Sequence, residues 1–198
     1  MSLELVNTLA TLGTFLVIAA TAIVAIVQLR HARGSVQITA LNELREQMES
    51  EQFQAARHFV ATELTEKLKD PVFRYQLAHP TARTGETQIS STKVSAVGNF
   101  YEGMGVLVKS GLIDRDMALE MWSYRIISDW KDITPVMAIS RRHAGSALWE
   151  NFEYMTVMSE DWIAAHPDGT YERGMRRATY DDKWLEADRQ YAASLATA

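Results

Sequence analysis

Leu5–Leu29 reads LVNTLATLGTFLVIAATAIVAIVQL, 25 residues with no charge between Glu4 and Arg30. At 1.5 Å per residue, a helix of that length extends roughly 37 Å, enough to cross the hydrocarbon of a bilayer with some tilt. A secretory signal would place positive charge before a shorter apolar core and end at a small-residue cleavage site. Here Glu4 precedes the run, and Arg30, His31 and Arg33 follow it. By the positive-inside rule the C-terminal flank lies in the cytoplasm and the N-terminus outside, which predicts a single-pass protein of the inner (cytoplasmic) membrane. Ala10 with Thr14 and Thr21 with Ala25 are small residues four apart, and Gly13 and Ala22 add low relief. Such a face lets a second helix approach closely.

The rest of the chain has the composition of a water-soluble surface. The mean hydropathy of the whole is slightly negative, −0.15, even though the apolar run is included. The 198 residues carry a formal charge of −5, with acidic and basic residues interspersed. A dedicated nucleic-acid binder needs a basic footprint that outweighs phosphate repulsion, and none is present. Cysteine is absent, which excludes disulfides, thiolate zinc sites, cysteine-ligated iron–sulfur clusters and a cysteine nucleophile. Length and composition therefore divide the chain into a membrane anchor over 1–33, one cytoplasmic domain over 34–167, and an irregular segment with a C-terminal helix over 168–198.

Helical periodicity runs through that domain. Ile38, Leu41, Leu44 and Met48 continue the anchor as an amphipathic helix, with at most a kink at Gly34 and Ser35. Ser50 is placed to cap a helix whose face is Phe53, Ala56, Val60 and Leu64, and Asp70 before Pro71 opens another. Residues 80–88, PTARTGETQ, read as an exposed loop, with the next helix opening at Ser90 or Ser91. That helix contains Gly98, Gly103 and Gly105, whose cost of about 1 kcal/mol each is normally offset by close packing on the backbone. Gly111 and Asp114 read as its end and the start of the next helix, which runs to about Trp130. Thr134 with Pro135 reads as a fresh cap, and Ser146 as the cap of a helix ending at His166 and Pro167. A last helix is expected from about Trp184 to Leu195. Strand and hairpin signals are missing, so the predicted fold is all-α, one transmembrane helix leading into a bundle of about six helices.

The chemistry-bearing residues concentrate in NFYEGMG (99–105), WSYRIISDW (122–130) and WENFEY (149–154). If these helices pack together, Glu102, Arg125, Asp129 and Glu150 with Glu153 form a polar cluster. The expectation is structural, with Arg125 pairing with Glu102 or Glu150 beneath tryptophan and tyrosine. A di-metal bundle needs Glu-x-x-His steps, which do not occur, and no metal or cofactor is expected. Arg141, Arg142 and His143, just before the helix expected at Ser146, could hold an anion or an acidic partner against free N–H groups; a solvated basic turn is the plainer reading. Gly103-Met104-Gly105 follows no strand and is no dinucleotide fingerprint, and no Ser-His-Asp constellation, P-loop or zinc-protease motif occurs. Five tryptophans and seven tyrosines supply rigid surface suited to interfaces as well as to the core.

A span ending in QLRHAR, followed by FQAARHFV, NFYEGMGVLVKSGLID, the W-x-Y-R-I-I-S-D-W segment and ALWENFEY, resembles a family of small bacterial single-span proteins classed as a domain of unknown function. The resemblance covers most of residues 15–160. It implies the architecture and transfers no catalytic residue. The expected function is that of a non-enzymatic accessory or scaffold subunit docking on a larger inner-membrane complex, respiratory or photosynthetic assemblies being examples. Its expected partners are the lipid bilayer and other membrane subunits, with self-association compatible and nucleic acid excluded. The alternative is a membrane-tethered enzyme, or an anion- or ligand-sensing domain, using Glu102, Arg125 and Arg141.

Overall fold

A computed structural model describes residues 3–172 and 174–196. Among them are eight α-helices, one short 3-10 turn and no strand. The chain divides into two compact units, Met1–Pro167 and Asp168–Ala198. The second unit holds a C-terminal helix, Leu185–Ala196, which keeps Tyr191 and Leu195 exposed.

The first helix, α1 (Leu3–Glu49), is a single element of 47 residues, about 70 Å long at the standard rise. Gly34 and Ser35 do not interrupt it. It is long and apolar enough to cross a membrane: its most apolar window has a mean hydropathy of 2.3, and none of that window is buried. Phe15, Leu16, Val17, Ile18, Ile23 and Ile26 are all more than half exposed, an arrangement costly in water and neutral in lipid. The hydroxyls of Thr11 and Thr21 donate to their own helix at Asn7 O and Val17 O, at 2.9 and 2.8 Å, which satisfies them without water. Only the last turns of α1 enter the core, through Ala40, Leu44 and Met48.

Four further helices and two short ones enclose that core. Ser50 caps α2 (Glu51–Thr62), accepting from Phe53 N, and buries Phe53, Ala56, Phe59 and Val60 on one face. A one-turn α3 (Leu64–Lys67) follows, and then α4 (Pro71–Ala78), where Asp70 accepts from Val72 N. The long helices are α5 (Gly85–Lys109), α6 (Arg115–Ala144) and α7 (Glu150–Ala165). The C-terminal helix of the second unit is α8.

Three expected boundaries are corrected. Helix α5 begins at Gly85 rather than at Ser90 or Ser91, because Thr84 caps it and Thr87, nearly fully buried, donates to Gln76 Oε1 at 2.5 Å. A polar stretch that reads as loop is thus drawn into helix by a partner on α4. Helix α6 continues through Pro135. Proline forfeits the bond to the carbonyl one turn back, at a cost of up to about 3 kcal/mol. Val136, Met137 and Ile139 are buried on the far side of it, and each contributes on the order of 1.5–3 kcal/mol. Thr134, expected as a cap, instead donates to Trp130 O at 2.6 Å. Finally, Ser146 caps nothing: Gly145 closes α6 at φ 85°, a turn follows, and α7 starts only at Glu150.

Candidate functional site

Of the polar residues expected to form one cluster, Asp129 and Glu102 anchor two separate networks. In the first, Asp129 of α6, 5% exposed, accepts from Arg57 Nε at 2.6 Å and Arg57 Nη2 at 2.8 Å. It also accepts from the Tyr101 hydroxyl at 2.7 Å. The carboxylate is thereby matched by a bidentate guanidinium from α2 and a phenol from α5, which is what a charge in a dry interior requires. Tyr101 stacks on Phe152, ring centroids 4.5 Å apart. Burial, followed by the Asp129 charge and hydrogen bond, pushes the phenol above its ordinary pKa, so it stays protonated. The Arg57 guanidinium is held charged by its bond to Asp129. One turn on, Asp132 is pushed above the usual carboxyl range by burial and by the negative charge of Asp129.

In the second network, Glu102 of α5 crosses to α7. Its carboxylate accepts from Asn151 N at 2.9 Å, Asn151 Nδ2 at 2.6 Å and Phe152 N at 3.1 Å. The free N–H groups of a helix start carry partial positive charge, and a carboxylate placed there is both cap and counter-charge. The chain reaches α7 through Trp149, which takes the left-handed conformation at φ 54° and ψ 39°. An indole in that conformation is strained by about 1 kcal/mol or more. The ring is fixed by donating from Nε1 to Asn99 Oδ1 at 2.9 Å and by lying directly on Gly98.

The expected pairing of Arg125 with Glu102 or Glu150 is therefore corrected. Arg125 is exposed on the outer side of α6 and makes no ion pair among the described residues; Glu150 is exposed in the first turn of α7. Residue 125 falls off the buried Trp122–Ile126–Asp129–Ile133 face, so its charge points to solvent. Arg57, which completes the buried network, was not singled out from the sequence. The signal was a pair of charges at core positions: Arg57 beside Ala56 and Val60 on one helix, Asp129 between Ile126 and Ile133 on another.

The basic turn is also rearranged. Arg141 Nε donates to Leu148 O at 2.9 Å, and its Nη2 lies 2.7 Å from Glu153 Oε2, outside hydrogen-bond angles. Arg141 thus ties the α6–α7 turn shut. Arg142 is exposed, and the His143 ring meets His79 edge-on at 4.7 Å. The helix start expected beside them at Ser146 lies at Glu150 instead, and its Asn151 and Phe152 N–H groups already face the Glu102 carboxylate. Among the described residues no group of three or more His, Cys, Asp or Glu is placed to hold a metal ion.

On α1, Thr14, Thr21 and Ala25 lie along one stripe, flanked by Gly13 and Ala22, at 100° per residue. A Cβ at Gly13 would meet nothing within 4 Å, so no part of the chain covers that position. The Ala10 side chain lies outside the described residues. At the foot of α1, a groove of about 640 Å³ opens between its last turns, the start of α2 and the outer face of α5. Ala40, Leu44, Phe53, Phe100, Met104 and Leu107 give it an apolar floor, and Glu43 and Gln47 stand at its edge.

No match was found among curated proteins or among solved structures. A family model does match, over residues 15–159, from the apolar stretch of α1 to the buried Ser159 of α7, and so takes in both polar networks and the groove. The chain belongs to the family described as domain of unknown function (DUF4760).

Proposed function

We propose that the protein is a membrane-anchored, non-enzymatic accessory or scaffold subunit that docks on a larger protein complex of the bacterial inner membrane. A respiratory or photosynthetic assembly is the kind of host it suits. The observation that carries this reading is the exposure of α1: a helix uncovered along its apolar stretch and continuous with a domain whose apolar groove opens at the foot of that same helix. A continuous helix couples the two surfaces rigidly, so a neighbour meeting the small-residue stripe in the membrane is in register with the groove below it. Arg30, His31 and Arg33, flanking the apolar run on its C-terminal side, support a cytoplasmic location for the domain by the positive-inside rule. The two polar networks support the non-enzymatic reading, because Glu102 and Asp129 spend their oxygens on helix ends and on Arg57 rather than on an open cleft.

The test is extraction of the native protein in a mild detergent, followed by mass spectrometry of what stays bound. Co-purification of integral membrane subunits in fixed ratio is the expected result. Recovery of a lone monomer under conditions that keep other complexes whole would sink the proposal.

A further inference from the structure

A second cavity, about 340 Å³, lies between α4, α5, α6 and the α6–α7 turn, away from the groove. Three features of its lining bear on what it would hold. It contains Arg83 and His143 and no carboxylate, in a chain whose net charge is −5. The half-buried Arg83 donates to the carbonyls of Gln76 and Leu77, at 3.3 and 3.0 Å, and has no acidic partner among the described residues. Three serines, Ser91, Ser95 and Ser140, line it, and their hydroxyls make no hydrogen bond among the described residues. Other helical hydroxyls close onto their own backbone, among them Thr92, Thr156 and Ser159. A cation without its counter-charge and hydroxyls without partners are complementary to an oxyanion. The remaining lining is largely apolar, with Leu77, Val94, Val136 and Trp149.

We propose that this cavity binds a small amphipathic oxyanion, its carboxylate or phosphate head on Arg83 and the serine hydroxyls and its apolar body against Val94, Val136 and Trp149. Pockets of this volume take organic molecules that bury most of their surface, with a few polar groups fixing orientation. The site is independent of the docking role and would make the domain responsive to a metabolite or to a lipid-derived anion. His143 at the rim, in edge contact with His79, connects the cavity to the end of α4.

The experiment is calorimetric titration of the full chain in nanodiscs with benzoate, phenyl phosphate, inorganic phosphate and benzamidinium, the last matching benzoate in shape and opposite in charge. Saturable one-to-one binding of benzoate or phenyl phosphate is expected, with inorganic phosphate weaker and benzamidinium silent. Arg83→Gln should weaken the better anion about tenfold or more, the worth of one charge-assisted contact. Because Arg83 also holds α4 carbonyls, Ser95→Leu, which fills the cavity and leaves the guanidinium in place, should abolish binding with the helical circular dichroism unchanged. The proposal is overturned if neither organic anion binds at millimolar concentration, if benzamidinium binds equally, if inorganic phosphate matches phenyl phosphate, or if folded Ser95→Leu binds as the parent does.

Discussion

Arg57 and Asp129, 72 positions apart, are joined by two parallel hydrogen bonds of 2.6 and 2.8 Å, with the carboxylate side chain 7% exposed. The pair links α2 to α6 while α5 covers it through Tyr101. Its net worth is small relative to apolar packing, because both charges left water to form it, but removing one partner strands the other. Asp129→Ala should therefore cost about 3–5 kcal/mol, and the double change Arg57→Met with Asp129→Leu should recover most of that. Urea unfolding of the detergent-solubilised chain, followed by tryptophan fluorescence, measures both. A single variant as stable as the parent would show that the pair is not the brace described.

Tyr101 gives the same network a pH signature. A phenol whose folded pKa is raised keeps its proton longer in the folded chain than in the unfolded one. Its contribution is complete below about pH 10, the unfolded value, and is lost as pH rises above that. Tyr101→Phe should cost about 1.5–3 kcal/mol at neutral pH, as for a hydrogen bond to a charged group. Above about pH 10 the difference between parent and variant should shrink. Melting curves that stay parallel through this range would contradict the assignment.

These relationships mark where the sequence was legible. Local signals were read correctly at Ser50, Asp70 and Asp114, each of which accepts from a backbone N–H of the helix it opens, and at Gly111, which turns at φ 70°. The one long apolar helix and the all-helical domain followed from apolar length and period. The misreadings share a cause: at Gly85, Pro135 and Glu150 the deciding partner lies on another element or deeper in the core. Thr87 needs Gln76, Pro135 is carried by the buried side chains after it, and the start of α7 is capped by Glu102 from α5. A sequence window shows a residue's neighbours along the chain, and these caps and braces are tertiary.

The glycines of α5 make a graded test of that packing. A Cβ at Gly98 would come within 2.3 Å of the Trp149 ring, and one at Gly105 within 2.6 Å of Asn151 O, whereas at Gly103 nothing lies within 4 Å. Gly98→Ala and Gly105→Ala should each cost about 1–3 kcal/mol through displacement of the α6–α7 turn. Gly103→Ala should stabilise by up to about 1 kcal/mol through helix propensity. Thermal unfolding of the three variants should show two falls and one rise; a fall at Gly103 would mean that an unseen neighbour packs there.

Glu102 separates a cap from a reacting group. If it serves α7 alone, Glu102→Ala should cost about 1–2 kcal/mol and speed amide exchange at Asn151 and Phe152, with Glu102→Gln intermediate. The residue joins α5 to α7 through three hydrogen bonds, so loosening should spread to the Trp149 turn. A Glu102→Ala protein with unchanged stability and exchange, and a lost interaction or activity, would move this carboxylate from brace to function.

The orientation of α1 is open to direct labelling because the chain has no cysteine of its own. From Asn7 to Arg30 a helix rises about 35 Å, slightly more than the roughly 30 Å of bilayer hydrocarbon. The proposed orientation, with Arg30, His31 and Arg33 at the cytoplasmic face, would put Asn7 at the outer interface and Glu46, about four turns beyond Arg30, well inside the cell. A membrane-impermeant maleimide added to intact spheroplasts should label Asn7→Cys and leave Glu46→Cys untouched until lysis. The reverse pattern would put the domain outside, where the cytoplasmic host proposed for its groove could not reach it. Labelling of both before lysis would remove the span itself, and with it the reason for exposing so much of α1.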